Sequence, residues 1–153
     1  VRELDGVKWY NDSIASSPTR TIAGLNSFHQ KIILLAGGYD KKIPFEPLAP
    51  KIVEKVKALI LMGVTAPKIE AAVRACAGFD EHALPIYHVS NMQQAVEKAR
   101  EICKADDNVD SMFSKIVLEV CGIITENPAC ASFDLYPDFE ARGRHFKELV
   151  NKL

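Results

Sequence analysis

Residues 31–38 read K-I-I-L-L-A-G-G, a run of four large apolar side chains that ends in a pair of glycines. An uninterrupted apolar run of this length is typical of a strand that is buried on both faces, as in a parallel sheet covered by helices. Four further short apolar runs share this character and are also predicted to be strands: Val7–Tyr10, Ala58–Met62, Pro85–Val89 and Ile116–Thr125. Their spacing leaves room for a helix between successive strands.

Amphipathic segments occupy the intervals between these runs. Ser17 and Pro18 form a good helix start, because serine accepts a hydrogen bond from a free amide and proline suits the first helical position. Ser90 and Gln93 have the spacing of a capping box before the longest amphipathic segment, and residues 67–76 repeat the helical pattern in shorter form. The chain closes on a helix whose apolar stripe consists of Phe139, Phe146, Leu149, Val150 and Leu153. Alternating strands and helices predict an α/β fold with a Rossmann-like, mostly parallel sheet and helices on both faces.

The size and charge of the chain limit its class. Its 153 residues fit one domain, and a net charge of -1 provides no basic field for nucleic acid. No apolar run approaches the length of a membrane span, and residues 1–10 do not resemble a signal peptide. The four cysteines lack C-x-x-C pairs and histidines at metal-ligand spacing, which indicates reduced thiols and no metal site. We therefore expect a cytoplasmic protein with no nucleic-acid or membrane partner.

Polar loops follow three of the predicted strands, at the edge of the sheet where ligands bind in α/β folds. The first loop, residues 10–18, places Asp12 and small hydroxyl residues just before a helix. Free amides and the helix dipole favour an anion at such a position, although serine and aspartate there are also ordinary helix caps. On the residues alone the cap is the preferred interpretation.

The other two loops carry a cation and small residues. In residues 36–45 the glycine pair lets the backbone turn sharply, and Lys41 either binds a carboxylate or phosphate or is simply solvated. In residues 127–134, Ser132 offers a hydrogen bond and Phe133 an apolar wall. Neither the G-x-G-x-x-G fingerprint nor the P-loop motif occurs in the chain, so these loops do not by themselves predict a nucleotide site.

In sequence order, the three loops resemble the carboxy-terminal domain of the Mur ligases, ATP-dependent amide-bond synthetases that build the peptide of peptidoglycan. Residues 6–13, G-V-K-W-Y-N-D-S, with the hydroxyl-rich loop and proline that follow, are similar to the family segment D-S-K-x-T-N-P. Residues 32–48, I-I-L-L-A-G-G-Y-D-K-K-I-P-F-E-P-L, resemble its second strand and substrate-lysine loop. Residues 128–150, which begin P-A-C-A-S-F-D and contain F-E-A-R-G, are the most specific stretch and are similar to the branch that adds D-glutamate.

The resemblance implies roles for individual residues of the three loops. Asp12 would face the nucleotide, and Lys41 would pair with a carboxylate of D-glutamate. The D-glutamate pocket as a whole would consist of Ser16, Lys41, Ser132, Phe133 and Phe139. The resemblance assigns no catalytic residue and no metal ligand to this domain.

The resemblance also implies the reaction of a complete ligase. ATP, with Mg²⁺, would phosphorylate the carboxylate of UDP-N-acetylmuramoyl-L-alanine, and the amine of D-glutamate would then attack the acyl phosphate. Residues 1–153 would be a single domain that binds the amino-acid substrate, because the UDP-binding and central ATPase domains precede it in the family. We therefore expect a piece of a longer, monomeric enzyme that does not turn over ATP alone.

Two departures from the family pattern leave alternatives open. Ile14 stands where the family has lysine, so that charge is lost or is supplied by another residue such as Arg20, and residues 106–126 are longer than the family's strand and turn. One alternative is another Mur ligase or a folylpolyglutamate synthase, against which P-A-C-A-S-F-D argues. The other is a freestanding doubly wound binding module. A P-loop domain encoded upstream of Val1 would favour the ligase.

Overall fold

The computed structural model of the chain describes six strands and five helices within residues 2–4, 6–13, 15, 17–38, 44–105, 115–120 and 136–153. For Arg2, residues 115–120 and Phe139 it describes the backbone only. The strands are β1 (Arg2–Leu4), β2 (Val7–Asp12), β3 (Ile32–Gly37), β4 (Val56–Met62), β5 (Ile86–His88) and β6 (Lys115–Val120). The helices are α1 (Pro18–Asn26), α2 (Ala49–Lys55), α3 (Ala66–Arg74), α4 (Met92–Ala105) and α5 (Phe139–Lys152).

The described strands form one sheet in the order β1-β2-β6-β3-β4-β5. β1 pairs antiparallel with β2, and every other neighbouring pair in this sheet is parallel. β6, which is later in sequence than the other described strands, lies between β2 and β3. The predicted α/β fold with a mostly parallel sheet is confirmed, and the short antiparallel edge strand β1 is an addition to it.

Helices cover both faces of the sheet because successive side chains of a strand point to opposite faces. Along β3, Ile32 and Leu34 belong to one buried cluster, whereas Ile33 and Leu35 belong to the other. The first cluster includes buried residues of α1, α2 and α3: Leu25, Ile52, Ile69 and Val73. The second includes buried residues of α4 and α5: Ala95, Val96, Ala99, Phe146 and Val150. The side chains of β3 therefore contribute alternately to the two buried clusters, which explains why its apolar run is unbroken.

Most of the predicted elements are present, with ends shifted by a few residues. Ser17 caps α1 as predicted: its Oγ accepts a hydrogen bond from the Arg20 amide at 3.4 Å, and Pro18 is the first helical residue. The seven-residue helix α2 is not among the predicted elements, because its proline and its short length hide the periodicity. The part of the predicted strand Ile116–Thr125 that follows residue 120 lies outside the described residues.

The N-terminus of α4 is capped one residue later than the sequence pattern predicts. Asn91 Oδ1 accepts a hydrogen bond from the Gln94 amide at 2.9 Å, and the Gln94 side chain accepts one from the Ser90 amide at 2.9 Å. The predicted capping pair of Ser90 and Gln93 is therefore wrong. Both pairs have the same spacing, and burial of Met92 as the first helical residue selects Asn91 as the cap.

Candidate functional site

The parallel strands end together along one edge of the sheet, which we call the carboxyl edge. Asp12 is in register with Val120, and Gly37 is in register with Met62, so the last residues of neighbouring strands lie side by side. The pairing between β3 and β6 brings these two sets of strand ends to the same level. In open α/β sheets, ligands bind outside the carboxyl edge at the point where the strand order reverses. In this sheet that point lies at the ends of β2, β6 and β3, because β6 is placed between the other two strands.

The glycine pair at the end of β3 is required by the close approach of β4. Gly37 has a φ of 137°, and a Cβ atom built on it would lie 1.7 Å from the carbonyl oxygen of Met62. The carbonyl oxygen of Gly38 accepts a hydrogen bond from the Thr65 amide at 3.0 Å. A Cβ atom built on Gly63 would lie 3.1 Å from the Gly38 nitrogen. The two strand ends are therefore in backbone contact, a constraint that the sharp turn predicted from the sequence does not include.

Helix α5 packs its first turns against the end of β2. Asn11 Nδ2 donates to the carbonyl oxygen of Gly143 at 2.8 Å, and Asn11 Oδ1 accepts from the Ser13 amide at 3.0 Å. A Cβ atom on Gly143 would lie 3.0 Å from Asn11 Nδ2 and 3.2 Å from Ser13 Oγ, so glycine permits this approach. Further along the helix, the rings of Phe146 and Trp9 have centroids 6.3 Å apart. Residue numbers rise along α5 as they fall along β2, which puts the N-terminus of α5 at the carboxyl edge.

Arg142 connects the same helix to the end of β3. The residue is only 2% exposed, and its Nη1 donates to the carbonyl oxygen of Gly37 at 2.6 Å. Hydrogen bonds from a charged donor are stronger than neutral ones, and burial removes the competition from water. One turn earlier, the Asp138 side chain caps α5 by accepting from the Ala141 amide at 2.6 Å. A single helix therefore contacts the ends of two strands that are not neighbours in the sheet.

The predicted site residues are divided between the described and the undescribed parts of the chain. Asp12 is half-buried at the end of β2, and its carbonyl oxygen accepts from the Ala15 amide at 2.7 Å. The backbone of Phe139 begins α5, and the alternative cation Arg20 is exposed in the first turn of α1. The other predicted pocket residues lie outside the described residues: Ser16, Lys41, Ser132 and Phe133. The described strands that precede them in sequence, β2, β3 and β6, end at the carboxyl edge.

Comparison with known proteins identifies the family. Residues 1–111 match the model of the Mur ligase, glutamate ligase domain. The chain belongs to the Mur ligase family. The UDP-N-acetylmuramoylalanine--D-glutamate ligase of Clostridium botulinum (strain Kyoto / Type A2) is 50% identical over 153 residues, which is 100% of this chain and 30% of that relative. The ligase of the same name from Clostridium acetobutylicum is 51% identical over the same share of each chain, so this chain spans about 30% of the length of these curated relatives.

The fold of this Mur ligase chain also occurs in a more distant solved structure. Mycobacterium tuberculosis folylpolyglutamate synthase complexed with ADP superposes with a TM-score of 0.56, covering 88% of this chain and 28% of that one. The two sequences are 9% identical, so the likeness concerns the fold alone. It agrees with the α/β class predicted from the sequence.

Two residues that shape the carboxyl edge of this Mur ligase chain are missing from the predicted site: Asn11 and Arg142. For Arg142 a signal is present, because it precedes Phe146 by four residues and Val150 by eight and therefore falls on the apolar stripe of α5. An arginine at a buried position is expected to have a polar partner. For Asn11 the sequence holds no comparable signal, since a polar residue at the end of a strand is common.

A second polar cluster lies at the β5 edge of the sheet. Glu70 of α3 accepts a hydrogen bond from Arg74 Nε at 2.7 Å, and its other oxygen lies 2.6 Å from His88 Nε2 at the end of β5. The neighbouring guanidinium of Arg74, and after it the imidazole of His88, hold the pKa of Glu70 below its ordinary value of 4.5. The cluster therefore links α3 to the edge strand through a carboxylate that favours its charged form.

The charged form of Glu70 makes the fold sensitive to acid. Since its pKa is lower in the folded than in the unfolded chain, its contribution to stability is present above about pH 4.5 and is lost as the pH falls through the folded-state pKa. Glu70→Gln is expected to flatten the decline in the free energy of unfolding between about pH 6 and about pH 3.5. Urea titrations of both proteins across this range measure the effect, and an identical decline would contradict the role of Glu70.

The rest of the described surface contains no comparable site. An open groove of about 530 Å³ lies beside α3 and is lined by Pro44, Phe45, Glu46, Lys68, Ala71, Ala72 and Ala75, a mixture that points to no ligand class. Within the described ranges, no group of three or more histidine, cysteine, aspartate or glutamate side chains could hold a metal ion. Among the helices described, none is long and apolar enough to cross a membrane. The carboxyl edge is therefore the candidate site.

Proposed function

We propose that this chain is the amino-acid-binding domain of an ATP-dependent ligase that joins D-glutamate to UDP-N-acetylmuramoyl-L-alanine. The observation that carries the proposal is identity of 50% and 51%, across all 153 residues, to relatives that bear the name of that ligase. Residues 1–153 form one domain in this proposal, and the UDP-binding and ATPase domains belong to the rest of the ligase. We place the ligase in the cytoplasm, acting as a monomer.

The proposed pocket fits the chemistry of a dicarboxylic amino acid. D-Glutamate presents two carboxylates, so its pocket needs a cation and several hydrogen-bond donors. Lys41 provides the cation, and Ser16 and Ser132 provide hydroxyl groups. Phe133 and Phe139 provide an apolar wall along the methylene groups. The structure supports this proposal through the flanking elements, because β2, β3, β6 and the N-terminus of α5 meet at the carboxyl edge.

The nucleotide and its magnesium ion are proposed to bind mainly outside this chain. The part of the chain that the structure describes offers no cluster of acidic, histidine or cysteine side chains that fits a metal ion. Asp12, at the end of β2, is the residue that we propose faces the nucleotide. ATP supplies the energy for amide formation and is released as ADP and phosphate. The contribution of this chain is to hold the carboxylates of D-glutamate and to orient its amine.

Titration of the chain with D-glutamate tests the pocket. We expect backbone amide NMR signals of Ser16, Lys41, Ser132 and Phe133 to shift, because the amino acid contacts these residues. Lys41→Ala is expected to abolish the shifts through loss of the cation that pairs with a carboxylate. The matched control is Lys42→Ala, which removes the same charge from the neighbouring residue and is expected to leave the shifts in place. L-Glutamate is expected to cause no shift at these positions.

An assay of the complete ligase tests the reaction. Phosphate release that requires ATP, D-glutamate and UDP-N-acetylmuramoyl-L-alanine together is the expected result, and this chain alone is expected to release none. If the complete ligase releases phosphate with another amino acid and not with D-glutamate, the proposed substrate is wrong. Sustained ATP turnover by the isolated chain would contradict the proposed division into domains.

A further inference from the structure

Arg142 of α5 is a charged residue at a position where buried side chains are usually apolar. Arg142 lies on the stripe that continues through Phe146 and Val150, both of which are 0% exposed. Burial of a guanidinium group has a large desolvation cost, which a methionine of similar length would avoid. An arginine at this position therefore needs polar partners inside the protein, and the carbonyl oxygen of Gly37 is one of them.

The end of β3 depends on backbone contacts because it has no side chains. Gly37 and Gly38 carry no Cβ atom, and a side chain at Gly37 would collide with β4. On one side, the Thr65 amide holds the Gly38 carbonyl oxygen. On the other side, Arg142 holds the Gly37 carbonyl oxygen. These two hydrogen bonds hold two consecutive peptide units at the end of β3. Gly38, the second of the two glycines, precedes Lys41 by three residues.

We propose that Arg142 is a positioning residue for the substrate-binding loop that follows β3. By fixing the Gly37 peptide, it sets the direction in which the chain leaves β3 toward the segment that contains Lys41. The inference rests on the proposed function for the role of Lys41. It adds that Arg142 influences D-glutamate binding through the Gly37 peptide without touching the amino acid.

The first test requires no ligand. Arg142→Met removes the donors while keeping an apolar side chain of similar length, and we expect the backbone amide signals of Gly38 and of residues 39–43 to shift in this chain. The control is Lys55→Met: Lys55 Nζ donates to the carbonyl oxygen of Phe28 at 3.1 Å, a similar bond at the opposite, amino edge of the sheet. That variant is expected to leave the Gly38 signal in place. An unchanged Gly38 signal in Arg142→Met would overturn the inference.

The second test separates positioning from simple loss of stability in the complete ligase. Loss of one charge-assisted hydrogen bond is expected to raise KM for D-glutamate about tenfold in Arg142→Met. We expect kcat to change less and KM for ATP to stay constant. Arg142→Lys retains a charge and a donor and is expected to restore part of the affinity. A merely structural role predicts the opposite: kcat falls as active enzyme is lost, while KM for D-glutamate stays at the wild-type value.

The two tests distinguish failure of this inference from failure of the proposed function. If the wild-type ligase does not use D-glutamate, the proposed function is wrong, and the Gly38 signal still decides whether Arg142 positions the end of β3. If the wild-type ligase uses D-glutamate and Arg142→Met keeps the wild-type KM, the inference alone is overturned.

Discussion

Gly37→Ala is expected to lower the free energy of unfolding by about 4 kcal/mol, since two costs add. A φ of 137° is strained for any residue with a Cβ atom. The new methyl group would also lie 1.7 Å from the carbonyl oxygen of Met62, a backbone atom that cannot rotate away. Relief of the collision requires β3 and β4 to separate where their last residues pair. Urea unfolding followed by circular dichroism measures the loss.

The matched control for this variant is Gly6→Ala. Gly6 has a φ of 72°, and a Cβ atom built on it would meet nothing within 4 Å. This substitution therefore carries the backbone cost without the collision, and we expect a loss of about 1 kcal/mol. Equal losses for the two variants would show that β3 and β4 do not approach as closely as described.

Phe146→Ala is the second substitution with a large expected effect. Phe146 is 0% exposed in the cluster between the sheet and helices α4 and α5, and its ring lies beside that of Trp9. Removal of a buried phenylalanine side chain loses the transfer free energy of the ring and leaves a cavity, which together cost about 4 kcal/mol. Thermal and urea unfolding both measure this loss in the free energy of unfolding, and we expect the two methods to agree. The loss reflects weaker packing of α5 on β2.

Two substitutions with smaller expected losses in the free energy of unfolding serve as comparisons for Phe146→Ala. Phe146→Leu retains most of the apolar volume and is expected to cost about 1.5 kcal/mol. Leu149→Ala alters a partly buried residue of the same helix and is expected to cost about 2 kcal/mol, at the low end for a core leucine. If Phe146→Ala is no more destabilising than Leu149→Ala, the packing of α5 on β2 is wrong.

The buried sheet could be predicted because its signal is local. The run from Ile32 to Leu35 is unbroken since each of its side chains enters one of two cores, and no exposed position interrupts it. Ser17 and Pro18 likewise act on amides within their own helix. At the N-terminus of α4, the pairs Ser90–Gln93 and Asn91–Gln94 both have the spacing of a capping box. Burial of Met92 selects the second pair.

The order of the strands could not be derived from such signals. β6 is as apolar as the other predicted strands, and nothing in its composition indicates that β2 and β3 are its neighbours. β1 has three residues, too few to show alternation. Gly37 illustrates the same limit, since the reason for its glycine is the backbone of Met62, which is distant in sequence and adjacent only in the folded sheet.

The sequence predicts three loops for the candidate site, and the family resemblance predicts which of their residues bind the substrate. The resemblance names Lys41 and Ser132, and the family is confirmed by the match over residues 1–111. It is silent about contacts such as those of Asn11 and Arg142, which join α5 to strand ends more than a hundred residues away. Those contacts depend on three-dimensional register, and in the sequence they leave only an arginine on an apolar stripe, within the F-E-A-R-G segment of the family resemblance.

The central place of β6 in the sheet has a consequence for synthesis of the protein. While the chain emerges from the ribosome, β3, β4 and β5 can pair in the order in which they are made, whereas β2 has no parallel neighbour until residues 115–120 appear. Before that moment β1 is the one neighbour of β2 in the described sheet that has been made, and an isolated hairpin is marginally stable in water. A ribosome that stalls before β6 therefore holds two unpaired strand edges, one on β2 and one on β3, both open to aggregation. Translation speed across residues 106–120 thus determines how long the nascent chain is exposed to that hazard.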